Sequence, residues 1–495
     1  MASTRNYLAF DLGAENGRAI IGSLDGNRLK LTETHRFLNE PVQLPDGLHW
    51  DVMRLWNEMK SGISASAIES DKRLDGIGVD AWGVDFALLD KNDDMLSNPF
   101  HYRDNRTDRM LDEAFRRMPR EKIYENTGIQ FMQINTLYQL LSMVIQKSPL
   151  LDVAKKFVTI PDLLNFWLSG QVSCEFTNAT TTQCYDPRKQ DWATPVLEAM
   201  GIPTYIFGPV TQPGTVLGTL PRGLVKETGA LDIPIIAPAC HDTGSAVVAI
   251  PAEHKNFAWI SSGTWSIVGV EATEPNFSPS AMTFNFTNEG GVFDTWRLSK
   301  NLMGLWLVQE CRRDWQRYGE ILSYDELTHL ASQARPFLSV INPDNPEFLR
   351  PGNMPERIRE FCKSTGQIVP ESRGEIIRII LESIALKYRW AIGHLETITL
   401  KRLSSIHIVG GGIKNRLLNQ FTADATGCEC IAGPIEATAI GNILMQAIAL
   451  GHIESLEDAR AVVRQSFVPD VYKPVSSSSR ALWDISYSRL LKLLE

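Results

Sequence analysis

Two segments of the sequence share one plan, and their spacing constrains the fold more than any other feature. Residues 7–18 read YLAFDLGAENGR, an apolar strand followed by a glycine-containing turn and the start of a second strand. Residues 257–268 read FAWISSGTWSIV and repeat this order 250 residues further along a chain of 495 residues. Hairpins with glycine turns are common in α/β proteins, so the relation between the segments stays open at this point. If the halves are related, the chain has two large domains, residues 1–250 and 251–495, each opening with such a hairpin.

Short apolar runs alternate with helical patterns along the chain. Residues 77–89 predict two strands around a turn, and residues 233–239 and 406–409 predict further strands. Residues 375–395 carry apolar side chains at about 3.6-residue spacing, which predicts a long helix. This alternation predicts an α/β fold. The serine run at residues 476–479 is typical of a loop.

Composition excludes several classes of protein. Hydrophobic residues make up 43% and charged residues 22%, which excludes a mostly disordered chain. The 49 Lys and Arg against 58 Asp and Glu give a net charge of −9, which disfavours nucleic acid as a partner. No apolar run reaches the roughly 18 residues of a membrane-spanning helix, and no signal-peptide pattern is seen.

Cysteine usage bears on the compartment and on metal binding. Among seven cysteines, only Cys428 and Cys430 lie close together, and their spacing is a poor zinc pattern. The odd number and the missing signal peptide predict reduced thiols and a cytoplasmic location. The sequence does not predict the oligomeric state.

The first hairpin is a candidate phosphate site. Glycine lets backbone N–H groups approach phosphate oxygens, and Arg18 can add a charge-assisted contact. Asp11, at the strand end, could hold Mg²⁺ directly or through water. An ordinary hairpin with a solvated aspartate is the alternative. The candidate residues of the turn are Ala14, Glu15, Asn16, Gly17 and Arg18. No GxxxxGK[ST] pattern occurs, so this is not a P-loop.

Two later glycine turns are candidate binding sites for the same phosphate-bearing ligand. Thr264 in the turn of the second hairpin offers hydroxyl and backbone donors. Residues 410–412 are three glycines between a strand and a helical pattern, and they could let a flat ring lie on bare backbone. Because Asn415 stands where the dinucleotide fingerprint needs glycine, a nicotinamide enzyme is disfavoured. A plain helix-start turn is the alternative for Gly411. Asn301 and Gln309 are expected on one helix over residues 300–312, where they could serve a ligand or edge the core.

A candidate for proton transfer follows the apolar run at residues 233–239. Asp242 at the end of that strand stands where α/β proteins bind ligands, and it could accept the proton of an attacking hydroxyl. The alternative is that Asp242 simply caps the next helix. Gly83 lies within a strand pattern, where glycine often marks close approach of a ligand. Asp85, Arg103, Asp104 and Arg106 could bind hydroxyls or form an internal ion-pair network.

Taken together, the motifs DLGAENGR, HDTGSA, SSGTWS and IVGGGIKN resemble, in this order, those of the FGGY carbohydrate kinases. The resemblance covers about residues 5 to 460 and implies an α/β, two-domain actin-like ATPase (ribonuclease H-like) fold with the active site in the interdomain cleft. Narrower motifs are similar to the members that act on L-rhamnulose. They comprise Asp80–Phe86, Tyr102–Asp104, Thr127–Phe131, Asn135–Gln139, Thr177–Gln183, Asn301–Trp306 and Ala432–Ala437.

The resemblance implies a role for each candidate residue. Asp242 would be the base that deprotonates the sugar hydroxyl, and Gly83, His241 and Thr243 would contact the sugar. Residues 14–18 and Thr264 would hold the ATP phosphates, with Asp11 near Mg²⁺, while Asn301, Gln309 and Gly411 would seat the nucleotide. One departure concerns Glu15 and Asn16, which stand where small hydroxyl residues are frequent. We therefore expect the backbone of Glu15, and not its carboxylate, to face phosphate.

The expected reaction is transfer of a phosphoryl group from MgATP to L-rhamnulose, giving L-rhamnulose 1-phosphate. Three alternatives stay open. The first is a kinase for another deoxy-ketose such as L-fuculose. The residues around Gly83 and Gln130 would decide between these sugars. The second is an actin-like ATPase without a sugar substrate, and the third is a binding protein without catalysis.

Overall fold

The computed structural model describes residues 4–475 and 477–494. They form two compact units. The first comprises Met1–Pro251, Glu271–Leu298 and Ala437–Phe467, and the second comprises Ala252–Val270, Ser299–Glu436 and Val468–Glu495. The chain therefore re-enters the first unit twice after residue 270. The simple division at residue 250 stays a prediction.

The strands and helices alternate as the sequence pattern predicts. The strands are β1 (Arg5–Leu12), β2 (Asn16–Asp25), β3 (Arg28–Leu38), β4 (Pro41–Leu44), β5 (Gly47–Trp50), β6 (Gly76–Ala81), β7 (Phe86–Leu89), β8 (Lys156–Thr159), β9 (Tyr185–Asp186), β10 (Asp191–Trp192), β11 (Thr215–Thr219), β12 (Pro234–Ala237), β13 (Phe257–Ser262), β14 (Trp265–Ala272), β15 (Thr287–Gly290), β16 (Trp296–Met303), β17 (Ser405–Val409), β18 (Glu429–Ala432) and β19 (Asp470–Tyr472).

The α-helices are α1 (Val52–Glu69), α2 (Met110–Arg117), α3 (Arg120–Thr127), α4 (Thr136–Ile145), α5 (Pro149–Val153), α6 (Ile160–Ser169), α7 (Phe176–Ala179), α8 (Thr194–Met200), α9 (Arg222–Thr228), α10 (Asp242–Val248), α11 (Pro279–Thr283), α12 (Trp306–Arg317), α13 (Tyr324–Gln333), α14 (Met354–Ser364), α15 (Arg373–Thr399), α16 (Arg416–Thr426), α17 (Ala437–Ala449), α18 (Leu456–Ser466) and α19 (Ser477–Leu494). Short 3₁₀ helices cover Asn105–Thr107, Thr180–Thr182, Thr204–Ile206, Pro346–Phe348 and Gly411–Lys414.

The first unit is built on a mixed six-stranded sheet. Its strands lie in the order β11-β12-β6-β1-β2-β3. β1, β6 and β12 are parallel neighbours, whereas β2, β3 and β11 pair antiparallel. Because parallel strands end at one edge of a sheet, the residues that follow β1, β6 and β12 are brought together there.

Helices cover both faces of this sheet. Ala19 and Gly22 lie three residues apart on β2 and therefore face opposite sides. A Cβ on Gly62 of α1 would meet Ala19 at 2.9 Å, and a Cβ on Gly22 would meet Ile443 of α17 at 2.6 Å. Residues 7–12 of β1 are all buried, as expected for a strand covered on both sides.

The second unit contains a sheet in which strands pair in the order β14-β13-β17-β18-β19. β13, β17 and β18 are parallel, and β14 and β19 pair antiparallel at either side. The long helix α15 begins with a capping box, in which the Ser372 side chain accepts from the Glu375 backbone and the Glu375 side chain accepts in return.

The internal similarity of the two halves is confirmed by strand pairing. β1 pairs antiparallel with β2 after a short turn and parallel with β6 on its other side. β13 pairs antiparallel with β14 after a short turn and parallel with β17 on its other side. Each hairpin thus occupies the same place in its own sheet.

The expected strands and the long helix at residues 375–395 are confirmed, and two local expectations are wrong. Asn301 does not share a helix with Gln309, because it lies on β16 and α12 begins only at Trp306. The serine run is not wholly a loop, since α19 begins at Ser477, whereas Ser476 lies outside the described residues. Across residues 4–475 and 477–494, no helix has the length and apolar character needed to cross a membrane.

Candidate active site

Three aspartates lie at the carboxyl ends of the three parallel strands of the first unit. Asp11 of β1 and Asp80 of β6 are register partners. The next strand leads to Asp242, and the backbone N–H of Ala81 donates to the carbonyl of Cys240 at 2.9 Å. The sheet therefore gathers side chains that lie far apart in the sequence at one edge.

The surroundings of these carboxyl groups differ. Asp11 accepts a hydrogen bond from the Arg18 guanidinium, and Asp80 accepts one from the Asn442 amide at 2.6 Å. Burial raises the pKa of Asp80 well above its usual range, and the charge of Asp11 adds to this effect. Asp80 could not be singled out for chemistry from the sequence, because its partner Asn442 lies on α17, 362 residues away.

Asp242 is not the N-cap residue of α10, because that position is His241, whose side chain makes no capping hydrogen bond. Asp242 is the first residue of the helix, and its carboxylate accepts from the backbone N–H of Thr243 at 2.5 Å and from the Thr243 hydroxyl at 3.1 Å. The carboxylate therefore satisfies one N–H of the first helical turn. The side chain is 32% exposed. Burial, followed by the charge of Asp11, raises the pKa of Asp242 although His241 opposes the shift.

His241 links Asp242 to a buried ion pair. Its Nε2 lies 3.3 Å from Asp242 Oδ1, and Nη2 of Arg297 lies 3.0 Å from its Nδ1. Glu289 Oε2 lies 3.3 Å from the same guanidinium nitrogen. Sequence reasoning selected His241 but missed Arg297 and Glu289. Glu289 lies on β15 and Arg297 lies on β16, and neither belongs to a recognisable sequence motif.

The first candidate phosphate turn is a tight hairpin. The backbone N–H of Gly13 donates to the carbonyl of Asn16 at 2.9 Å, and Asn39 holds the Gly13 carbonyl at 2.9 Å. A Cβ on Gly17 would lie 2.4 Å from the Phe37 ring, so packing within the protein already requires glycine there. Residues 14–16 and Arg18 are partly exposed.

The candidate sugar segment at Gly83 is held by two of the narrower motifs. Val84 has φ of +69°, an unusual conformation for a β-branched residue. Its N–H donates to the hydroxyl of Thr181 at 3.1 Å, and its carbonyl accepts from the hydroxyl of Thr136 at 2.6 Å and the amide of Gln139 at 3.3 Å. The TNATTTQ and NTLYQ stretches thus converge on one strained peptide beside Gly83.

Asp85 is the centre of an internal network. Its side chain is buried and accepts from the indoles of Trp50 at 2.6 Å and Trp82 at 3.0 Å, and from Gln139 at 2.8 Å. Burial raises the pKa of Asp85 to about 6. Asp85 therefore belongs to an internal network, but its donors are neutral groups and not the charged partners of the expected ion-pair network. Arg106 joins it by donating to Gln139 at 2.7 Å.

In the second unit, the turn after β13 is tied to the start of α12. The Leu305 and Trp306 N–H groups donate to the carbonyls of Gly263 and Thr264 at 2.9 and 3.1 Å. The Gln309 amide donates to the Thr264 hydroxyl at 3.1 Å. Gln309 and Thr264, both expected at the nucleotide, are thus brought together. Asn301 lies on β16 and not on the helix that carries Gln309.

The three glycines after β17 lack a side chain for different structural reasons. Gly410 has φ of +88°, and a Cβ on Gly412 would lie 2.1 Å from the Ser262 hydroxyl oxygen. Both are required by the chain's own packing. Gly411 is exposed, and a Cβ there would meet no atom of the described residues within 4 Å. Its missing side chain leaves open backbone at this turn.

Carboxylate groups are also the candidate metal ligands. Among the described residues, no group of three or more His, Cys, Asp or Glu side chains is placed to hold a metal ion. Mg²⁺ in phosphoryl-transfer sites is usually held by one or two carboxylates together with water and substrate phosphates. Asp11, at a strand end and next to the phosphate turn, fits that sparse donor set.

Two family models match the sequence. The N-terminal domain of the FGGY family of carbohydrate kinases matches residues 6–249, and its C-terminal domain matches residues 258–450. The chain belongs to the FGGY family of carbohydrate kinases. It is therefore a phosphotransferase with the two-domain α/β fold of the FGGY sugar kinases.

Relatives match over nearly the full length. A rhamnulokinase of Bacteroides thetaiotaomicron is 41% identical and is aligned over 98% of this chain and 98% of its own. A rhamnulokinase of Oceanobacillus iheyensis is also 41% identical, over 94% and 97% of the two chains. Among solved structures, a ligand-bound xylulose kinase from Lactobacillus acidophilus superposes with a TM-score of 0.82 over 99% of this chain and 97% of that chain. At 17% identity, that likeness shows the fold alone.

Proposed function

We propose that this kinase phosphorylates L-rhamnulose with ATP to give L-rhamnulose 1-phosphate. The observation that carries the proposal is the 41% identity, over almost the whole length, with proteins named rhamnulokinase. The solved sugar kinases share its fold at much lower identity and do not discriminate among sugars.

In this proposal Asp242 is the general base. Its carboxylate is partly exposed, and its pKa is raised by burial and by Asp11, which makes it a better proton acceptor once it is ionised. It would remove the proton of the sugar's primary hydroxyl as the oxygen attacks the terminal phosphorus. His241, Thr243 and Gly83 would contact the sugar, and Thr243 also holds the base in place.

The phosphates are proposed to bind through backbone donors and one cation of the first unit. These groups come from residues 14–18, with Arg18 providing the positive charge. Arg18 bonds Asp11 and is therefore already fixed beside the turn. Asp11 would hold Mg²⁺, which when bound neutralises charge on phosphate oxygens. Because the chain carries a net charge of −9, an anionic nucleotide must be bound by such local donors and not by the overall field.

Four further residues are proposed to bind the nucleotide from the second unit. Thr264 would contact phosphate, and the Gln309 amide also fixes its hydroxyl. Asn301, Gln309 and Gly411 would seat the nucleotide, and the open backbone of Gly411 accepts a flat ring without a clash.

The test of the substrate is a panel of ketoses in a coupled assay of ADP release, with the phosphorylated product identified by NMR. We expect L-rhamnulose to give the highest kcat/KM and a 1-phosphate product. Comparable kcat/KM for L-fuculose would contradict the narrower claim. ATP hydrolysis that does not depend on any sugar would favour a non-sugar actin-like ATPase.

The test of the base is Asp242→Asn, which keeps the side-chain shape and one acceptor oxygen. We expect kcat to fall by about 10² or more with ATP binding near that of the wild type, the usual scale for a general base. Asp232→Asn, ten residues upstream at an exposed position, is the matched control. Activity of Asp242→Asn within about tenfold of wild type would contradict the base assignment. A wild-type protein that binds sugar and ATP but releases no ADP would favour a binding protein without catalysis.

The proposed location is the cytoplasm. None of the seven cysteines, all of which lie in the described part of the chain, forms a disulfide, and six of them are buried. This fits a reducing compartment. The proposed partners are the sugar and ATP, without nucleic acid or membrane.

A further inference from the structure

A buried arginine faces the ring of His241. Arg297 lies on β16 and is fully buried, although arginine is rarely found there without a partner. Its Nε donates to the Gly290 carbonyl at 2.8 Å, and Nη2 approaches the Thr177 carbonyl at 3.4 Å. Glu289 Oε2 lies 3.3 Å from Nη2 and compensates the charge. The guanidinium is therefore fixed from several sides.

This arrangement determines which nitrogen of His241 carries the proton. A guanidinium has only donors, so Nη2 of Arg297, 3.0 Å from His241 Nδ1, can bond that atom only if Nδ1 accepts. The proton of the neutral ring is then on Nε2. That atom lies 3.3 Å from Asp242 Oδ1, so the N–H faces the carboxylate of the proposed base.

The competing arrangement is an imidazolium. Glu289 Oε2 lies 3.4 Å from His241 Nδ1 and could accept a proton carried there. Arg297 opposes this, because a protonated Nδ1 would place two donors face to face at 3.0 Å. Burial acts to raise the pKa of Glu289, but the charge of Arg297 and the contact with His241 lower it, so Glu289 is ionised and lies 3.3 Å from Nη2 of Arg297.

We propose that Arg297, anchored by Glu289, is a positioning residue that holds His241 as the Nε2–H tautomer and so makes His241 a donor to Asp242. The kinetic part of this inference rests on the proposed function. Thr243 and His241 both contact Oδ1 of Asp242, so the second oxygen, Oδ2, is then left to accept the substrate proton. A merely structural arginine would leave the tautomer of His241 unchanged when it is replaced.

The direct experiment is ¹⁵N NMR of the full chain with labelled histidine rings. The chain has nine histidines, and a His241→Gln variant identifies the signals of interest. Near neutral pH we expect a protonated Nε2 and an unprotonated Nδ1 at His241. A protonated Nδ1 in the wild type would overturn the proposal.

Variants of Arg297 and Glu289 distinguish a positioning role of Arg297 from a role in folding alone. Arg297→Met alone leaves the Glu289 carboxylate buried without a partner and can fail to fold. The double variant Arg297→Met with Glu289→Met removes both charges, and we expect it to show mixed His241 tautomers. For the same variant we expect kcat lower by about tenfold, with the KM for ATP within about twofold. Arg297→Lys, which retains a donor, should restore the wild-type tautomer.

Two outcomes distinguish this inference from the proposed function. If the folded double variant keeps the wild-type tautomer and kcat, Arg297 does not position His241. If the wild-type protein phosphorylates no ketose, the proposed function fails, but the NMR spectra still decide the role of Arg297.

Discussion

Two adjacent glycines allow a sharp test of the proposed nucleotide contact. Gly411 and Gly412 belong to the same 3₁₀ turn, but the structure gives them different reasons to lack a side chain. A Cβ on Gly412 would lie 2.1 Å from the hydroxyl oxygen and 2.8 Å from the backbone oxygen of Ser262. A Cβ on Gly411 would lie in open space among the described residues. Alanine at each position is therefore a matched pair of perturbations.

The expected magnitudes follow from these contacts. The Ser262 hydroxyl can rotate away from a new methyl group, but its backbone oxygen cannot, so Gly412→Ala should cost about 1–3 kcal/mol of stability. For a domain of about 150–250 residues, each kcal/mol lowers Tm by roughly 2–4 °C. Gly411→Ala should change stability by less than about 0.5 kcal/mol. If the nucleoside lies against Gly411, the same methyl group should raise the KM for ATP about tenfold.

The assay is scanning calorimetry of both variants together with ATP and sugar kinetics. Calorimetry is preferred because two compact units need not unfold in one transition. An unchanged KM for ATP in Gly411→Ala would refute the nucleotide contact. An unchanged Tm in Gly412→Ala would refute the packing argument from which both expectations are drawn.

Three further predictions concern the first unit. Gly441→Ala should cost about 3 kcal/mol or more, because its Cβ would lie 1.8 Å from the backbone oxygen of Ser245 where α17 meets α10. Calorimetry against Gly393→Ala, whose Cβ meets no described atom within 4 Å, checks this, and equal Tm values would contradict it. Thr181→Val removes the acceptor of the Val84 N–H, so we expect a loss of about 1–3 kcal/mol and a higher KM for the sugar. An unchanged sugar KM would show that the Val84 peptide does not shape the sugar site. Because the base acts when ionised and burial raises the pKa of Asp242, kcat/KM for the sugar should fall as pH drops through a value above the usual pKa of about 4. A pH profile that stays flat down to about pH 4 would contradict this.

The candidate residues of the site could be selected from the sequence because each belongs to a pattern of neighbours in the chain. The turn after Asp11, the approach to Asp242 and the glycines at residues 410–412 each combine a strand end with residues that directly follow it. Apolar periodicity located the strands that carry them, and the structure confirms those strands. Asn301 is the exception, since an apolar run of this length is compatible with strand and helix alike.

The contacts that orient these residues could not be predicted. Asp80 depends on Asn442, and His241 depends on Arg297 and Glu289, in each case through side chains distant in sequence and without a motif. The role of Asp85 also became clear only when its indole and amide donors were placed around it.

By itself, the sequence determined the α/β class and indicated the two hairpins and the candidate residues for phosphate binding and proton transfer, because residue type and local spacing govern these properties. Only the tertiary structure decided which groups meet. Parallel pairing of β1, β6 and β12 brings three aspartates to one edge. Burial and neighbouring charge then raise the pKa of Asp80 and of Asp242, and each of the three carboxyl groups has its own hydrogen-bond partners. These effects depend on the distance between groups in space, which cannot be read from their separation along the chain.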